Sequence, residues 1–311
     1  MTKYYLKNPQ LSSVIESRYG SFKSLVYIFI NLLCYTLHLD IAPFIIGIQF
    51  ESTNLCNLKC LMCPVNTVMK RKKKIISFNL FKKTLDQFTW LEYIMLQNWG
   101  EPLLHPRIFD MIRYAKSKSI KVFMYTNGTL LTHEKMMKLI DSGIDRITIS
   151  IDSFDETYEK IRGFSYKEIE NKILDLVKLR NEKKSKMYIE ISMVIFDETE
   201  DKVKNFIKKW EGVVDHVTVQ PKLEYNTVRK TRCKELWRGN IIILSNGLVV
   251  PCCYDYEGLI VLGDADKQSI KEIWNGKVIR RLRNQHNKHN FTGLCKGCGE
   301  FKTKFMKPRF G

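Results

Sequence analysis

The chain has 311 residues, 44% hydrophobic and 27% charged, the composition of a globular protein with material for a sizeable core. That excludes a disordered tail, a collagen-like fibre and a small disulfide-stapled toxin. Lysine and arginine number 51 against 33 acidic residues, and the formal charge of +18 points to an anionic partner or to a solvated basic surface.

Residues 1–44 differ from the rest. The run Leu25–Leu39 is almost wholly apolar, broken by Asn31, Thr36 and His38, and is followed by Asp40 and Pro43. It falls short of the roughly 20 apolar residues of a membrane span. Two readings stay open: a helix packed on the body of the protein, or a helix lying in a membrane interface with Lys3, Lys7, Arg18 and Lys23 nearby. The polar and aromatic first residues are not expected to form a secretory signal peptide.

From Phe44 the pattern alternates. Strands are expected at Ile46–Glu51, Tyr93–Asn98, Ile120–Thr126, Arg146–Ile151, Met187–Phe196 and Val217–Gln220. Helices are expected at Ser77–Phe88, Pro106–Ser117, Thr132–Ser142, Tyr166–Lys183 and Thr199–Trp210. Such alternation predicts a parallel α/β architecture. The charge run Arg71–Lys74 reads as a solvated loop. After Pro221 the alternation stops. Ile241–Leu244 and Leu248–Val250 around Asn246-Gly247 suggest a hairpin, and the rest reads as a cysteine-rich segment that needs a metal to hold it. The chain divides on this reading into an N-terminal extension (1–44), a barrel (45–222) and a C-terminal segment (223–311).

The nine cysteines stand at 34, 56, 60, 63, 233, 252, 253, 295 and 298. In a reducing compartment, tight clusters read as metal or redox sites. Cys34, in the apolar run, reads as a buried small hydrophobe. Cys56, Cys60 and Cys63 follow the first strand with spacing C-x3-C-x2-C. Three thiolates from one loop suit a cubane iron–sulfur cluster with a fourth iron left open, whereas structural zinc wants four ligands in pairs. Lys59 would favour the thiolates.

This loop resembles the cluster-binding loop of radical S-adenosylmethionine (SAM) enzymes. Gly100-Glu101-Pro102 resembles the family's GGEP motif, whose glutamate helps bind the SAM amino group. Trp99 replaces the usual first glycine, a departure that would narrow the pocket. Thr126-Asn127-Gly128 ends strand three as is common in the family. By the same resemblance, Ser150 and Asp152 contact the ribose and carboxylate, Arg162 pairs with the SAM carboxylate, and Met62 meets adenine through its backbone. The residues agree independently: Ile147, Ile149 and Ile151 alternate with Thr148, Ser150 and Asp152, and Ile189, Ile191 and Met193 with Glu190 and Ser192. The polar face then looks into a ligand cavity, with Gln97 and Gln220 near the C-terminal strand ends where such barrels place their sites.

Cys295 and Cys298 form a C-x2-C knuckle that Cys233 and Cys252 could complete; Cys252 follows the hairpin directly and is favoured over Cys253. The stretch from Asn246 to Cys253, with Leu262-Gly263-Asp264 and Ile273-Trp274-Asn275, resembles SPASM-type extensions, in the shortened "twitch" form with one auxiliary [4Fe–4S] cluster. A four-cysteine zinc site is the alternative. His105 reads as a loop residue or a proton shuttle; His286 and His289 read as solvated.

The resemblance covers roughly residues 45–300. It implies a partial (β/α)6 TIM-like barrel with a small C-terminal iron–sulfur domain, in an oxidoreductase. SAM on the first [4Fe–4S] cluster would yield a 5′-deoxyadenosyl radical that abstracts a substrate hydrogen. The auxiliary cluster would take an electron, oxidising a sugar-like or aminocyclitol alcohol. Other expectations are maturation of a peptide or protein side chain, RNA or lipid modification, and a non-enzymatic zinc module. The implied partners are a small-molecule or peptide substrate, a reductant such as flavodoxin or ferredoxin, and an anionic or peripheral membrane surface. The expected location is cytoplasmic.

Overall fold

A computed structural model describes residues 21–221 and 228–298. Lys3, Lys7, Arg18 and the boundary expected at 222 lie outside the described residues. Helix α1 (Phe22–Thr36) starts at Ser21, whose side chain accepts from the Ser24 amide at 3.1 Å. It buries the stripe Ser24, Ile28, Asn31 and Cys34, and Cys34 joins the main core as expected. Asn31, the polar break in the apolar run, pins the helix to the chain entering the barrel. Its Nδ2 donates to the Phe44 carbonyl at 2.7 Å, and its Oδ1 accepts from the Phe44 amide at 3.1 Å. Ile28 packs with Ile46, Tyr93 and Phe123, so α1 lies against the N-terminal half of the first three strands.

The strands β1 (Gly47–Phe50), β2 (Tyr93–Leu96), β3 (Lys121–Thr126), β4 (Arg146–Ser150), β5 (Tyr188–Ile195) and β6 (His216–Pro221) are parallel and pair in chain order. Between them run α2 (Pro64–Thr67), α3 (Phe78–Leu85), α4 (Ile108–Ser117), α5 (His133–Asp141), α6 (Glu156–Arg162), α7 (Tyr166–Glu182) and α8 (Val203–Trp210). Short hydroxyl side chains start several of them: Ser77 accepts from Leu80, Thr132 from Lys135 and Ser165 from Glu168. Ile147, Ile149, Ile189 and Ile191 are wholly buried with Ile112, Leu139, Ile173 and Leu176 of these helices, which is the core predicted by the alternation.

The C-terminal segment departs from expectation. β7 (Asn240–Ile243) does form an antiparallel hairpin with β8 (Leu248–Val250), but β7 also pairs in parallel with β1, Gly47 opposite Asn240 and Phe50 opposite Ile243. With β9 (Gly263–Asp264) the result is one nine-stranded sheet in the order β6-β5-β4-β3-β2-β1-β7-β8-β9. Gly239 makes this junction close: it sits at φ +85°, and an added Cβ would lie 2.8 Å from the Phe44 carbonyl. The segment also has apolar periodicity of its own. α9 (Ile270–Trp274) carries a capping box at Ser269, and α10 (Lys277–Asn287) buries Ile279, Leu282, Arg283 and His286 on one face. His286 is therefore buried rather than solvated, while His289 is exposed.

Candidate active site at the ends of the parallel strands

The chain leaving β1 is braced from behind by the segment 72–75. Thr53 Oγ1 donates to the Lys74 carbonyl at 2.9 Å, Asn54 Nδ2 donates to the Lys72 carbonyl at 3.0 Å, and Lys73 Nζ donates to the carbonyls of Asn54 and Val65. On this platform Cys56, Cys60 and Cys63 stand within one another's electrostatic reach. Burial raises all three thiols, Cys63 to about 11, so loading a metal cluster must release their protons. Among the described residues no three His, Cys, Asp or Glu side chains converge as ligands of a single ion would. A cubane takes one thiolate per iron, and three neighbouring thiols from one loop are a donor set that suits it. The cation acting on all three thiols is Arg162; Lys59, expected in that part, is exposed. Met62 is half-buried in the same loop.

Gly100 holds the end of β2 against this loop. At φ +101° it brings its backbone so close that a Cβ would lie 2.4 Å from the Thr53 carbonyl and 2.6 Å from that of Leu55. The next residue, Glu101, donates its amide to Leu55 at 2.7 Å and is 1% exposed. Its Oε1 accepts from Thr126 Oγ1 at 2.7 Å and from the Leu103 amide at 3.0 Å; its Oε2 accepts from the Asn127 amide at 2.8 Å. Burial raises its pKa while these three donors hold it down. Asn127 turns its Nδ2 toward Cys56 Sγ at 3.8 Å and Asn57 Oδ1 at 3.1 Å. Asp152, wholly buried, accepts from Arg162 Nε at 2.8 Å and from the Val194 amide at 3.0 Å. Arg162 ends α6, a helix set by the Asp155 cap and Gly163, and the Ile161 carbonyl accepts from the Leu61 amide of the cysteine loop at 3.0 Å. Cys56, Cys60, Cys63, Gly100, Glu101, Asn127, Asp152 and Arg162 thus belong to one contact network. Ser150 stands on the same face as Asp152, opposite Ser192.

Deeper in the barrel the polar residues pair mostly with one another, and Nε and Nη2 of Arg146 are buried without a hydrogen-bond partner among the described residues. Glu190 accepts from Thr218 and from Thr148 and lies 3.5 Å from Arg146, which stacks on Phe123. Toward the strand ends Gln97, Ser150 and Gln220 are half-buried, and Gln220 Nε2 donates to Ser192 Oγ at 3.4 Å. His105 belongs to the frame: Nδ1 accepts from the Arg107 amide and Nε2 meets the Ile76 carbonyl, both at 3.0 Å.

A second feature was hidden in a charge run. Arg71 points inward and makes a two-pronged bond to the wholly buried Glu51, at 2.9 and 2.7 Å; Glu51 also accepts from Ser245 Oγ at 2.7 Å. Arg71 Nε donates to the Tyr256 carbonyl, and Trp99 Nε1 donates to the Cys253 carbonyl at 2.9 Å. The loop after β1, the end of β2 and the cysteine-bearing loop after β8 are therefore tied together. Glu51 was legible only as the end of a strand, and nothing local in Arg71-Lys72-Lys73-Lys74 distinguishes its first member.

Cys252 lies in the electrostatic neighbourhood of Cys253, Cys233 and Cys295, and Cys298 in that of Cys295 and Cys253; Cys253 also neighbours Glu235. Burial pushes Cys233 up to about 12 and Cys295 to about 11. Asp255, 1% exposed, shapes the loop by accepting from the Leu259 and Ile260 amides at 2.7 Å each. The donor set and the buried Arg229 Nε, without a partner among the described residues, fit a sulfur-rich cluster, which offers acceptors in several directions.

A family model of the radical SAM superfamily matches residues 50–209, and a model of an iron–sulfur cluster-binding domain, SPASM, matches residues 233–299. These matches bring SAM, its [4Fe–4S] cluster and auxiliary iron–sulfur chemistry as the cofactors. The S-adenosyl-L-methionine-dependent 2-deoxy-scyllo-inosamine dehydrogenase of Niallia circulans is 23% identical over 265 residues, covering 81% of this chain and 91% of that protein. The tungsten-containing aldehyde ferredoxin oxidoreductase cofactor-modifying protein of Pyrococcus furiosus is 36% identical over 108 residues. The chain spans 30%, 34% and 57% of the lengths of three further-matched curated relatives, that protein included. Among solved structures, BtrN in complex with AdoMet and 2-DOIA superposes with a TM-score of 0.61 at 18% identity, over 84% of this chain and 95% of that one. Streptococcus suis SuiB bound to its precursor peptide SuiA gives 0.59 at 14%, over 91% and 75%. At these identities the structural likeness speaks for the fold.

Proposed function

The chain belongs to the radical SAM superfamily, and we propose that within it the protein oxidises an alcohol carbon of a sugar-like or aminocyclitol substrate to a ketone. The observation that carries this reading is the likeness to 2-deoxy-scyllo-inosamine dehydrogenase, which runs through the barrel and into the second cysteine group. When bound, SAM and its cluster supply an adenosyl radical that removes a substrate hydrogen atom. The chain's own residues do the rest. Cys56, Cys60 and Cys63 would hold the cluster, on which SAM would bind through its amino and carboxylate groups. Glu101 keeps one lone pair of Oε2 for the SAM ammonium, while Arg162, oriented by Asp152, offers its outer nitrogens to the carboxylate. Asn127 fixes Cys56. Met62, Gly100 and Ser150 line the nucleoside side. A ring bearing several hydroxyls would meet Gln97, Ser192 and Gln220 at the strand ends.

Cys233, Cys252, Cys295 and Cys298 would hold one auxiliary [4Fe–4S] cluster, which would serve as the electron acceptor of the oxidation. The division at residue 222 is on this reading a division of cluster sites. A flavodoxin or ferredoxin supplies the starting electron. The test is anaerobic turnover with SAM, dithionite and a panel of aminocyclitols. Ketone and 5′-deoxyadenosine formed together support the reading; 5′-deoxyadenosine formed equally with and without every alcohol opposes it. Maturation of a peptide side chain is the second reading, favoured by the fit to the peptide-bound SuiB structure, and a linear peptide consumed in the same assay would select it.

Among the described residues no helix is long and apolar enough to cross a membrane. α1 nevertheless exposes Phe22 (82%), Phe29 (67%) and Leu33 (43%) away from its buried stripe. With the charge of +18, this face suits a peripheral contact with an anionic lipid surface.

A further inference from the structure

Arg229 is pressed against the second cysteine group. Its Nη2 donates to Cys298 Sγ at 3.1 Å. Its Nη1 donates to the Thr231 carbonyl at 3.2 Å and its amide to the Lys296 carbonyl at 3.2 Å, so the guanidinium is held at both ends. Nε is buried and without a partner among the described residues. The same cation lies in the field of Cys233 and Cys295, where it opposes the effect of burial. The nearby Glu235, paired with Arg238 at 2.6 Å, acts on Cys233 and Cys253 with the opposite sign, and Arg229 is the cation that counters it at Cys233.

A cubane with four thiolates carries net negative charge, and reduction adds one more. A fixed cation hydrogen-bonded to one sulfur and in the field of others favours the reduced form, and so does each hydrogen bond to a sulfur. The unpartnered Nε gives a second donor for a thiolate or a bridging sulfide. We infer that Arg229 raises the reduction potential of the auxiliary cluster and so makes it an acceptor for the electron left on the substrate. The inference rests on the dehydrogenase reading above. In that reading an alcohol that has lost a hydrogen atom becomes a ketone by releasing one electron and its hydroxyl proton. The electron goes to the auxiliary cluster and the proton to water. Arg229 is a positioning and tuning residue; it need not touch the substrate.

The test is a potentiometric titration of the reconstituted full chain, followed by electron paramagnetic resonance, in wild type, Arg229→Gln and Arg229→Lys. Addition of SAM marks the signal of the first cluster and separates it from the second. The expected result for Arg229→Gln is a shift of the auxiliary couple toward the oxidised form by tenfold or more, about 59 mV for one electron, with the first cluster unmoved. Arg229→Lys keeps the charge and is expected to shift the couple by less than half as much. An unchanged potential in Arg229→Gln with iron and sulfide retained overturns the inference while the dehydrogenase reading stands. If Arg229→Gln loses its second cluster, Arg229→Lys decides alone: a shift of tenfold or more despite the retained charge overturns the inference. Zinc without labile sulfide at the second site overturns the acceptor reading and the inference with it.

Discussion

Replacing Gly100 by alanine tests how closely the end of β2 must approach the cysteine loop. The residue sits at φ +101°, which a side chain resists by about 1–3 kcal/mol. The new Cβ would also lie 2.4 and 2.6 Å from two backbone carbonyls. Backbone cannot rotate aside as a side chain can, so an overpacking term of about 1–3 kcal/mol adds to the first. The sum, roughly 2–6 kcal/mol, corresponds to a melting temperature lower by on the order of 10 °C. Gly212→Ala is the matched control: φ is +79° but nothing lies within 4 Å of its Cβ, so only the conformational part applies. Scanning calorimetry of both variants, with SAM titrated into the reconstituted proteins, separates the two effects. Gly100→Ala should melt well below Gly212→Ala and bind SAM more weakly, because Glu101 is displaced from the Leu55 carbonyl that anchors it. If the two variants melt together and bind SAM alike, the close approach described here is wrong.

Arg71→Leu should destabilise the chain by roughly 3–5 kcal/mol in denaturant titrations, because Glu51 is left as a buried unpaired carboxylate; adding Glu51→Gln should recover part of the loss. A loss under about 1 kcal/mol would count against the buried pair. His286 is held neutral by burial, helped by Arg229 and His289, with its pKa lowered to about 4. Unfolded it titrates near 6.5, so its contribution is whole above that pH and is lost as pH falls toward 4, by up to about 3 kcal/mol. Stability of the wild type should drop across this window and that of His286→Gln should drop less; parallel curves would contradict the assignment. Phe29→Glu should reduce sedimentation with vesicles of anionic phospholipid and leave the melting temperature within a few degrees, since Phe29 is 67% exposed. Equal sedimentation would remove the lipid-facing role of α1.

What could be read in the sequence was local. The three-cysteine spacing, the alternation of Ile147, Ile149 and Ile151 with Thr148 and Ser150, and the helix starts at Ser77 and Thr132 each depend on neighbours a few residues apart. The pairing of Gly47 with Asn240 depends on residues far apart in the chain, and a hairpin signal says nothing of what its outer edge joins. The loop after β8 then meets the chain beyond β2, where Trp99 Nε1 donates to the Cys253 carbonyl. Arg71 looked like its lysine neighbours because an inward turn is decided by a distant carboxylate. α6, which carries Arg162, was missed because seven residues give little periodicity, although Asp155 and Gly163 mark its two ends. In the C-terminal segment Ile279, Leu282, Arg283 and His286 stand in helical step, but two of the four are polar, so the stripe carries little apolar signal.

The central claim is that Cys56, Cys60 and Cys63 hold a cluster whose open iron takes SAM. Its most direct measurement is 5′-deoxyadenosine released from SAM under dithionite by the anaerobically reconstituted protein, wild type against Cys60→Ser. The account predicts release by the wild type, and loss of release in Cys60→Ser with the iron of the second site retained. Equal release by both proteins, or none from an iron-loaded wild type, would contradict it.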